Sequence, residues 1–407
     1  MDATRDAPGG LRVTLAFAGA FVAVGLVYLG VFVVPPLITV FTDDLGLSHS
    51  ESGLLMSMYL IAYALTSFTS GPLADRFGAA QVMFAGAVIV GLSSLLFMAT
   101  ESLAVFLVAR FGVGVGTALV YAPGITFAAR LLPARRMTTG IGLYLSGLSA
   151  GVTVAFLLTP LLEDALSWRW PFAVAGIACL VGAVLFAVLA FPLSRPAPAP
   201  TAGEGAVALG SLLRNVPFLK VSLGLFASMF VAYGVFTWIP PYLDESAGFS
   251  TGQLSFSLTL AVALGIPATL LAGWLADRTG RPVLVAAGGM GMAVTLIVLA
   301  AIDEISFGLA ATMTVIATAG VTGGLIPLFA LPAATVDASG AARATGLATS
   351  FAMAGAIVST YLGGALVGAT DGYGVPFVVY AAMTGVAVLV LLPLAAQALA
   401  RLRPAPA

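Results

Sequence analysis

Gly71-Pro72-Leu73-Ala74-Asp75-Arg76-Phe77-Gly78 returns later in the chain as Gly273-Trp274-Leu275-Ala276-Asp277-Arg278-Thr279-Gly280. Six of the eight positions are identical at an offset of 202 residues. Each copy ends one long apolar run and precedes another, so the chain reads as two related halves. A glycine three residues after the aspartate (Gly78, Gly280) permits a sharp turn. The leading glycines, Gly71 and Gly273, are read as sites where two helices approach closely. Asp and Arg at such a turn can face a helix N-terminus or pair across a closing interface. A weaker echo, Arg136-Met137-Thr138-Thr139-Gly140 against Arg343-Ala344-Thr345-Gly346, precedes the later part of each half.

Composition sets the solvent around these turns. Of 407 residues, 60% are hydrophobic and 8% charged, and the mean hydropathy is +1.10. Soluble domains carry roughly 25% charged residues, so this chain has too little polar surface to face water. Disorder, a collagen-like chain and nucleic-acid binding are excluded on the same figures. One cysteine, Cys179, allows no internal disulfide framework, and one histidine, His49, allows no histidine-rich metal cluster.

A helix needs about 20 apolar residues to cross a bilayer. Twelve such segments are predicted, near 14–41, 50–72, 79–99, 103–127, 138–161, 170–192, 217–242, 251–275, 282–301, 305–331, 344–368 and 373–400. The unbroken runs exclude the period-2 alternation of a β-barrel. The first run is too long for a cleavable signal and lacks its small-residue cleavage site. With both termini inside, 14 of the 16 basic residues fall on the cytoplasmic side, as the positive-inside rule requires. Arg169, in an outer loop, and Arg110, inside a span, are the exceptions. The expected organisation is an amino-terminal six-helix bundle over 1–192, a cytoplasmic linker over 193–216 and a carboxy-terminal six-helix bundle over 217–407. The linker's Pro196-Ala197-Pro198-Ala199-Pro200 run resists packing.

The doubled loop resembles the signature loop of the major facilitator superfamily, and the resemblance covers the whole chain. It implies an all-α membrane protein of twelve transmembrane helices in two pseudo-symmetric six-helix bundles. It also implies alternating access around a central cavity. Gly71, Asp75, Arg76 and Gly78, with Gly273, Asp277, Arg278 and Gly280, are then the cytoplasmic gate. The family loop usually ends in basic residues, whereas the first copy continues as Ala79-Ala80.

Arg110 is the one charged residue well inside a span, about 10 Å below the outer surface at 1.5 Å per residue. Placing a charge there costs about 2.5–3.5 kcal/mol on insertion scales, so it is expected to face the bundle interior or a wet cavity. Arg110-Phe111-Gly112-Val113-Gly114-Val115-Gly116 resembles the arginine-plus-glycine motif of the superfamily's fourth span. There the arginine is associated with coupling, gating or substrate anions. Three roles stay open for Arg110: satisfaction by backbone carbonyls that tie helices together, direct substrate contact, and indirect coupling.

By the same resemblance, spans 1, 4, 7 and 10 line the cavity and spans 2, 5, 8 and 11 flank it. The substrate or coupling candidates are Arg110, Tyr28, Tyr63, Tyr121, Tyr144, Tyr233 and Trp238. The Pro35-Pro36 pair removes backbone donors and frees carbonyls in span 1. Tyrosine and tryptophan present an apolar body with a hydrogen-bonding tip, which suits small, partly apolar solutes. Trp168, Trp170 and Tyr242 fall at outer span ends and are expected in the aromatic belt. Spans 4 and 5 are similar to the monocarboxylate and oxalate/formate branch, although span 8 lacks the base that branch uses. The Gly-Pro of drug antiporters is absent from span 5, where Val152 follows Gly151, and the paired arginines of nitrate porters are absent from spans 2 and 8.

The expected activity is secondary transport of a small organic solute, with a slight preference for a small organic anion. Efflux of hydrophobic or drug-like compounds is the alternative, and a non-transporting membrane sensor on a transporter fold the remote one. His49 and Cys179 stand isolated in the sequence and no catalytic constellation is evident, so an enzyme is not expected. No cofactor and no metal are called for, and no phosphate-binding glycine loop marks a nucleotide site. The partners expected are the lipid bilayer, a small-molecule substrate and a proton wherever transport is coupled; nucleic acid is not among them. A monomer in the plasma (inner) membrane, multi-pass with both termini cytoplasmic, completes the expectation. No carboxylate is predicted inside the cavity, and Asp43, Asp44 and Glu51 fall at the outer rim.

Overall fold

The computed structural model of the protein describes residues 10–131, 137–193, 209–296, 299, 305–336 and 341–401. In chain order the helices are α1 (Gly10–Phe32), α2 (Ile38–Asp43), α3 (His49–Phe77), α4 (Ala79–Met98), α5 (Leu103–Leu131), α6 (Met137–Ala165) and α7 (Arg169–Ala190). They continue as α8 (Leu209–Leu212), α9 (Val216–Pro241), α10 (Thr251–Thr279), α11 (Pro282–Gly291), α12 (Phe307–Ala330), α13 (Ala341–Thr370) and α14 (Gly374–Arg401). Among the described residues, 11 helices are long and apolar enough to cross a membrane, and Pro282–Thr295 is a shorter apolar helix. That shorter helix occupies the start of the expected ninth span. Most of the linker, together with Arg135 and Arg136, lies outside the described residues.

Two proline pairs shape the spans differently. Pro35 and Pro36 end α1 and form a 3₁₀ turn, Pro35–Leu37, before α2 resumes the span. Pro240 and Pro241 instead sit inside the last turn of α9, which runs on into a π-helical turn, Tyr242–Ser246. Proline interrupts a helix where its missing N–H leaves carbonyls without partners, and a cavity or neighbouring helix must then supply them.

The described residues divide into two compact units. Residues as far as Leu37, and from Met58 through α7, form the first; Ile38–Ser57 and the chain from Leu209 onward form the second. Helix α3 therefore begins in one unit and ends in the other. Within the first unit, α1 packs on α5, α6 and α7, and α4 on α5 and α7. Within the second, α9 packs on α12, α13 and α14, and α11 on α12 and α14. These pairings of α1 and α4 in the first unit match those of α9 and α11 in the second, as two related halves require.

The duplicated loop makes a tight turn in both copies. Gly78, at φ 95°, is the single residue between α3 and α4. Gly280, at φ 62°, caps α10 in the left-handed conformation, and Pro282 opens α11. These are positions where a Cβ is disfavoured. The reading of Gly71 and Gly273 as close-approach sites is corrected: a Cβ on either would meet open space. Close approach occurs elsewhere, as where Gly86 of α4 and Gly116 of α5 each face the other's carbonyl.

The aromatic-belt expectation also needs correction for two of three residues. Trp170 is exposed, but Trp168 is buried against Phe106 and Phe172, and Tyr242 is buried with its hydroxyl on the Leu299 carbonyl. Bundle packing has taken up rings that their position alone assigned to lipid.

Candidate functional site

In the first unit, several of the polar and aromatic candidate side chains gather on α1, α3 and α5. Arg110 is 1% exposed. Its Nη1 donates to the Val31 carbonyl at 3.1 Å, and its guanidinium carbon lies 5.2 Å from the centre of the Tyr59 ring. The sequence explains the acceptor. In an α-helix the Val31 carbonyl would receive the N–H of the residue four positions on, and that residue is Pro35, which has none. Arg110 takes the place of the missing donor, and the face of Tyr59 adds cation–π attraction to a desolvated charge.

From Tyr59 a row of rings runs onward. Tyr59 and Tyr63 lie 6.2 Å apart between centroids, and Tyr63 and Tyr121 lie 6.3 Å apart, edge to face. The Tyr59–Tyr63 spacing of four residues puts both on one face of α3. Helix α5 can approach that face because Gly114 sits against the backbone of Tyr59 and Tyr63. Tyr63 and Tyr121 remain partly exposed. Tyr144 is fully buried and donates to the Val120 carbonyl at 2.8 Å. Tyr28 is buried and stacked on Phe32, 6.5 Å away. Tyr59 joins the candidates named from sequence, and its four-residue spacing from Tyr63 is the sequence signal for it.

The second unit holds another constellation, built on Ile38–Ser57, α9 with the turn that follows it, α13 and the residue just before α14. Trp238 is fully buried and donates from Nε1 to the Thr360 carbonyl at 3.1 Å. The Ser57 and Thr360 hydroxyls are 2.6 Å apart. Gly53 lies against Thr360 and Trp238, and Gly364 against the His49 carbonyl. The absence of side chains at Gly53 and Gly364 lets the start of α3 seat on α13. Tyr233 is partly exposed on α9, one turn before the buried Thr237.

At the edge of this constellation, His49 Nε2 approaches Glu245 Oε2 at 3.3 Å, and the Tyr373 hydroxyl donates to the same oxygen at 2.7 Å. The His49 ring lies 6.2 Å from Trp238 and 6.3 Å from Tyr373. Burial, reinforced by Glu245 and then by Asp244 and Asp43, pushes the Tyr373 phenol well above its ordinary range. It therefore stays a donor. His49, isolated in the sequence, thus has a partner 196 positions away, which no local pattern discloses.

The duplicated-loop residues lie at the ends of α3 and α10. Asp75 is partly exposed and Arg76 exposed at the end of α3, with the Arg76 guanidinium 5.1 Å from the Phe77 ring. Arg278 is exposed with its guanidinium 5.0 Å from the Trp274 ring, and Asp277 is the neighbouring residue of α10.

Known proteins give the arrangement its context. The chain is 28% identical over 263 residues to a cis,cis-muconate transport protein of Acinetobacter baylyi, covering 62% of this chain and 63% of that protein. The match thus spans just under two thirds of that relative's length. A probable sulfoacetate transporter of Cupriavidus necator is 27% identical over 89% of this chain and 88% of its own. Among solved structures, a bacterial homologue of the human lysosomal transporter Spinster, inward-facing and unoccupied, superposes with a TM-score of 0.78 at 16% identity. That superposition covers 98% of this chain and 100% of the other; at such identity it speaks for the fold alone. The sequence pattern of the Major Facilitator Superfamily matches residues 20–359, across both halves and both copies of the duplicated loop, and the chain belongs to that superfamily.

Proposed function

We propose that the protein is a secondary transporter that moves a small organic anion across the plasma membrane by alternating access. The observation that carries this reading is Arg110, a fully buried guanidinium beside a row of tyrosines. Guanidinium is a planar fork of N–H donors that matches a carboxylate or sulfonate in two places. Tyr63 and Tyr121 supply apolar surface with hydroxyl tips for the rest of a small solute. Relatives named for muconate and sulfoacetate, both organic anions, support the same class. Tyr28, Tyr144, Tyr233 and Trp238 shape and brace the pathway in this reading. Asp75, Arg76, Asp277 and Arg278, at the turns made by Gly78 and Gly280, act as its cytoplasmic gate, with both termini on that side and a monomer as the working unit.

The test is ligand-dependent stabilisation of the purified protein by cis,cis-muconate, sulfoacetate and other small organic acids, compared with apolar and cationic compounds. Stabilisation by anions that disappears in Arg110→Ala supports the reading. Stabilisation by apolar or cationic compounds, indifferent to that substitution, would instead favour efflux of drug-like molecules and leave Arg110 as a helix tie.

A further inference from the structure

The constellation around His49 lies wholly in the second unit, yet it is built partly from the amino-terminal half of the sequence. The stretch Ile38–Ser57 groups with α9 to α14, and the chain passes to the first unit at Met58. His49 opens α3 and Glu245 lies in the π-helical turn after α9. Their contact at 3.3 Å links that stretch to the turn that follows α9. Its surroundings are acidic: Asp244 adjoins Glu245, Asp43 ends α2, and Glu51 stands in the first turn of α3, held by Ser48 at 2.8 Å. Tyr373, just before α14, stays protonated and braces the Glu245 oxygen that faces His49.

We propose that His49 and Glu245 form a proton-binding site that links transport to acidity on the outer side. The idea rests on the transporter reading for its purpose, but not for its chemistry. A hydronium ion of the outer solution gives its proton to the ring nitrogen of His49 that does not face Glu245, leaving water. The neutral imidazole becomes an imidazolium, and its contact with Glu245 becomes an ion pair. No other bond changes. Histidine is the side chain suited to exchange a proton near physiological pH, and this chain has one. A carboxylate holds an imidazolium more tightly than a neutral ring, so acid favours the arrangement in which Ile38–Ser57 is seated in the second unit. Loss of the proton weakens the link and frees the start of α3 from Trp238, Thr360 and Gly364. The pair is thus a latch that a proton closes.

The deciding measurement needs no substrate. Nitroxide labels at Leu45→Cys and Thr370→Cys, in a Cys179→Ser background and in nanodiscs, report by electron–electron double resonance whether the stretch is seated. Lowering the pH from 7.5 to 5.5 is expected to raise the ratio of short to long distances roughly two- to five-fold, within the range expected of one partly exposed ion pair. His49→Gln should make that ratio independent of pH. If His49→Gln does not fold, Glu245→Gln carries the same expectation, since it keeps the shape and removes the charge. A pH-independent ratio in the parent protein, or an undiminished response in either variant, overturns the proposal. If the response depends on His49 while no anion is transported, the latch stands and the transporter reading falls.

Discussion

Arg110 completes the hydrogen bonding of α1 that Pro35 leaves open: its Nη1 reaches the Val31 carbonyl at 3.1 Å, the acceptor whose helical donor proline removes. Two residues 79 positions apart are thereby matched, a missing N–H on one span and a buried cation on another. Each would be costly alone, because an unpartnered carbonyl and an uncompensated charge are both disfavoured in hydrocarbon.

That match predicts the behaviour of Pro35→Ala. Alanine restores an N–H aimed at Val31, so α1 continues and Arg110 must compete for that carbonyl. Transport should fall several-fold while the protein remains inserted, and pairing Pro35→Ala with Arg110→Ala should cost less than the sum of the two, by about 1 kcal/mol. Thermal unfolding of the two single variants and the double variant checks this.

The two glycines of the first loop copy should respond in opposite ways. Gly78→Ala places a side chain at φ 95° and is expected to lose about 1–2 kcal/mol. Gly71→Ala, inside α3 with open space around the new methyl group, is expected to be neutral or to gain about 0.5–1 kcal/mol from helix propensity. Melting temperatures of the two purified variants distinguish the cases.

Tyr144 and the pair Tyr63 and Tyr121 should also separate. Tyr144→Phe removes a buried hydrogen bond to the Val120 carbonyl and is expected to lower stability by about 1 kcal/mol with the KM for substrate unchanged. Tyr63→Phe and Tyr121→Phe are expected to raise KM with little change in stability. Initial uptake rates in proteoliposomes, set beside melting curves, resolve the two roles.

Seating of α3 on α13 depends on the bare backbone at Gly364. Gly364→Val forces a side chain onto the His49 carbonyl and the Trp238 ring, an overpacking cost of about 1–3 kcal/mol. The label distance between positions 45 and 370 should lengthen in this variant at every pH.

Much of the architecture could be read before any coordinates. Apolar runs of span length, the doubled loop and the Pro35-Pro36 break all leave local marks, since they follow from helix rise, proline's missing donor and glycine's freedom at positive φ. The Arg110 motif could be found too, because a charge in a span stands out. What stayed hidden depends on partners distant in sequence. Nothing near His49 points to Glu245, and nothing near Ser57 marks where the chain changes units. Trp168 and Tyr242 carry the same amphipathic rings as true belt residues; only the packing around Phe106, Phe172 and Leu299 shows them buried. Gly71 misled for the converse reason: it repeats at Gly273, but the repetition concerns the turn rather than a helix contact.

The measurement closest to the central claim is the melting temperature of the detergent-purified protein with and without small organic acids, in parallel with Arg110→Ala and Arg110→Lys. A ligand that binds the folded state at a hundredfold excess over Kd adds about 2.7 kcal/mol of apparent stability. The account predicts that one or more organic anions stabilise the parent protein, that Arg110→Ala abolishes the shift, and that Arg110→Lys retains only part of it, keeping the charge but losing the planar fork. An undiminished anion shift in Arg110→Ala would contradict it.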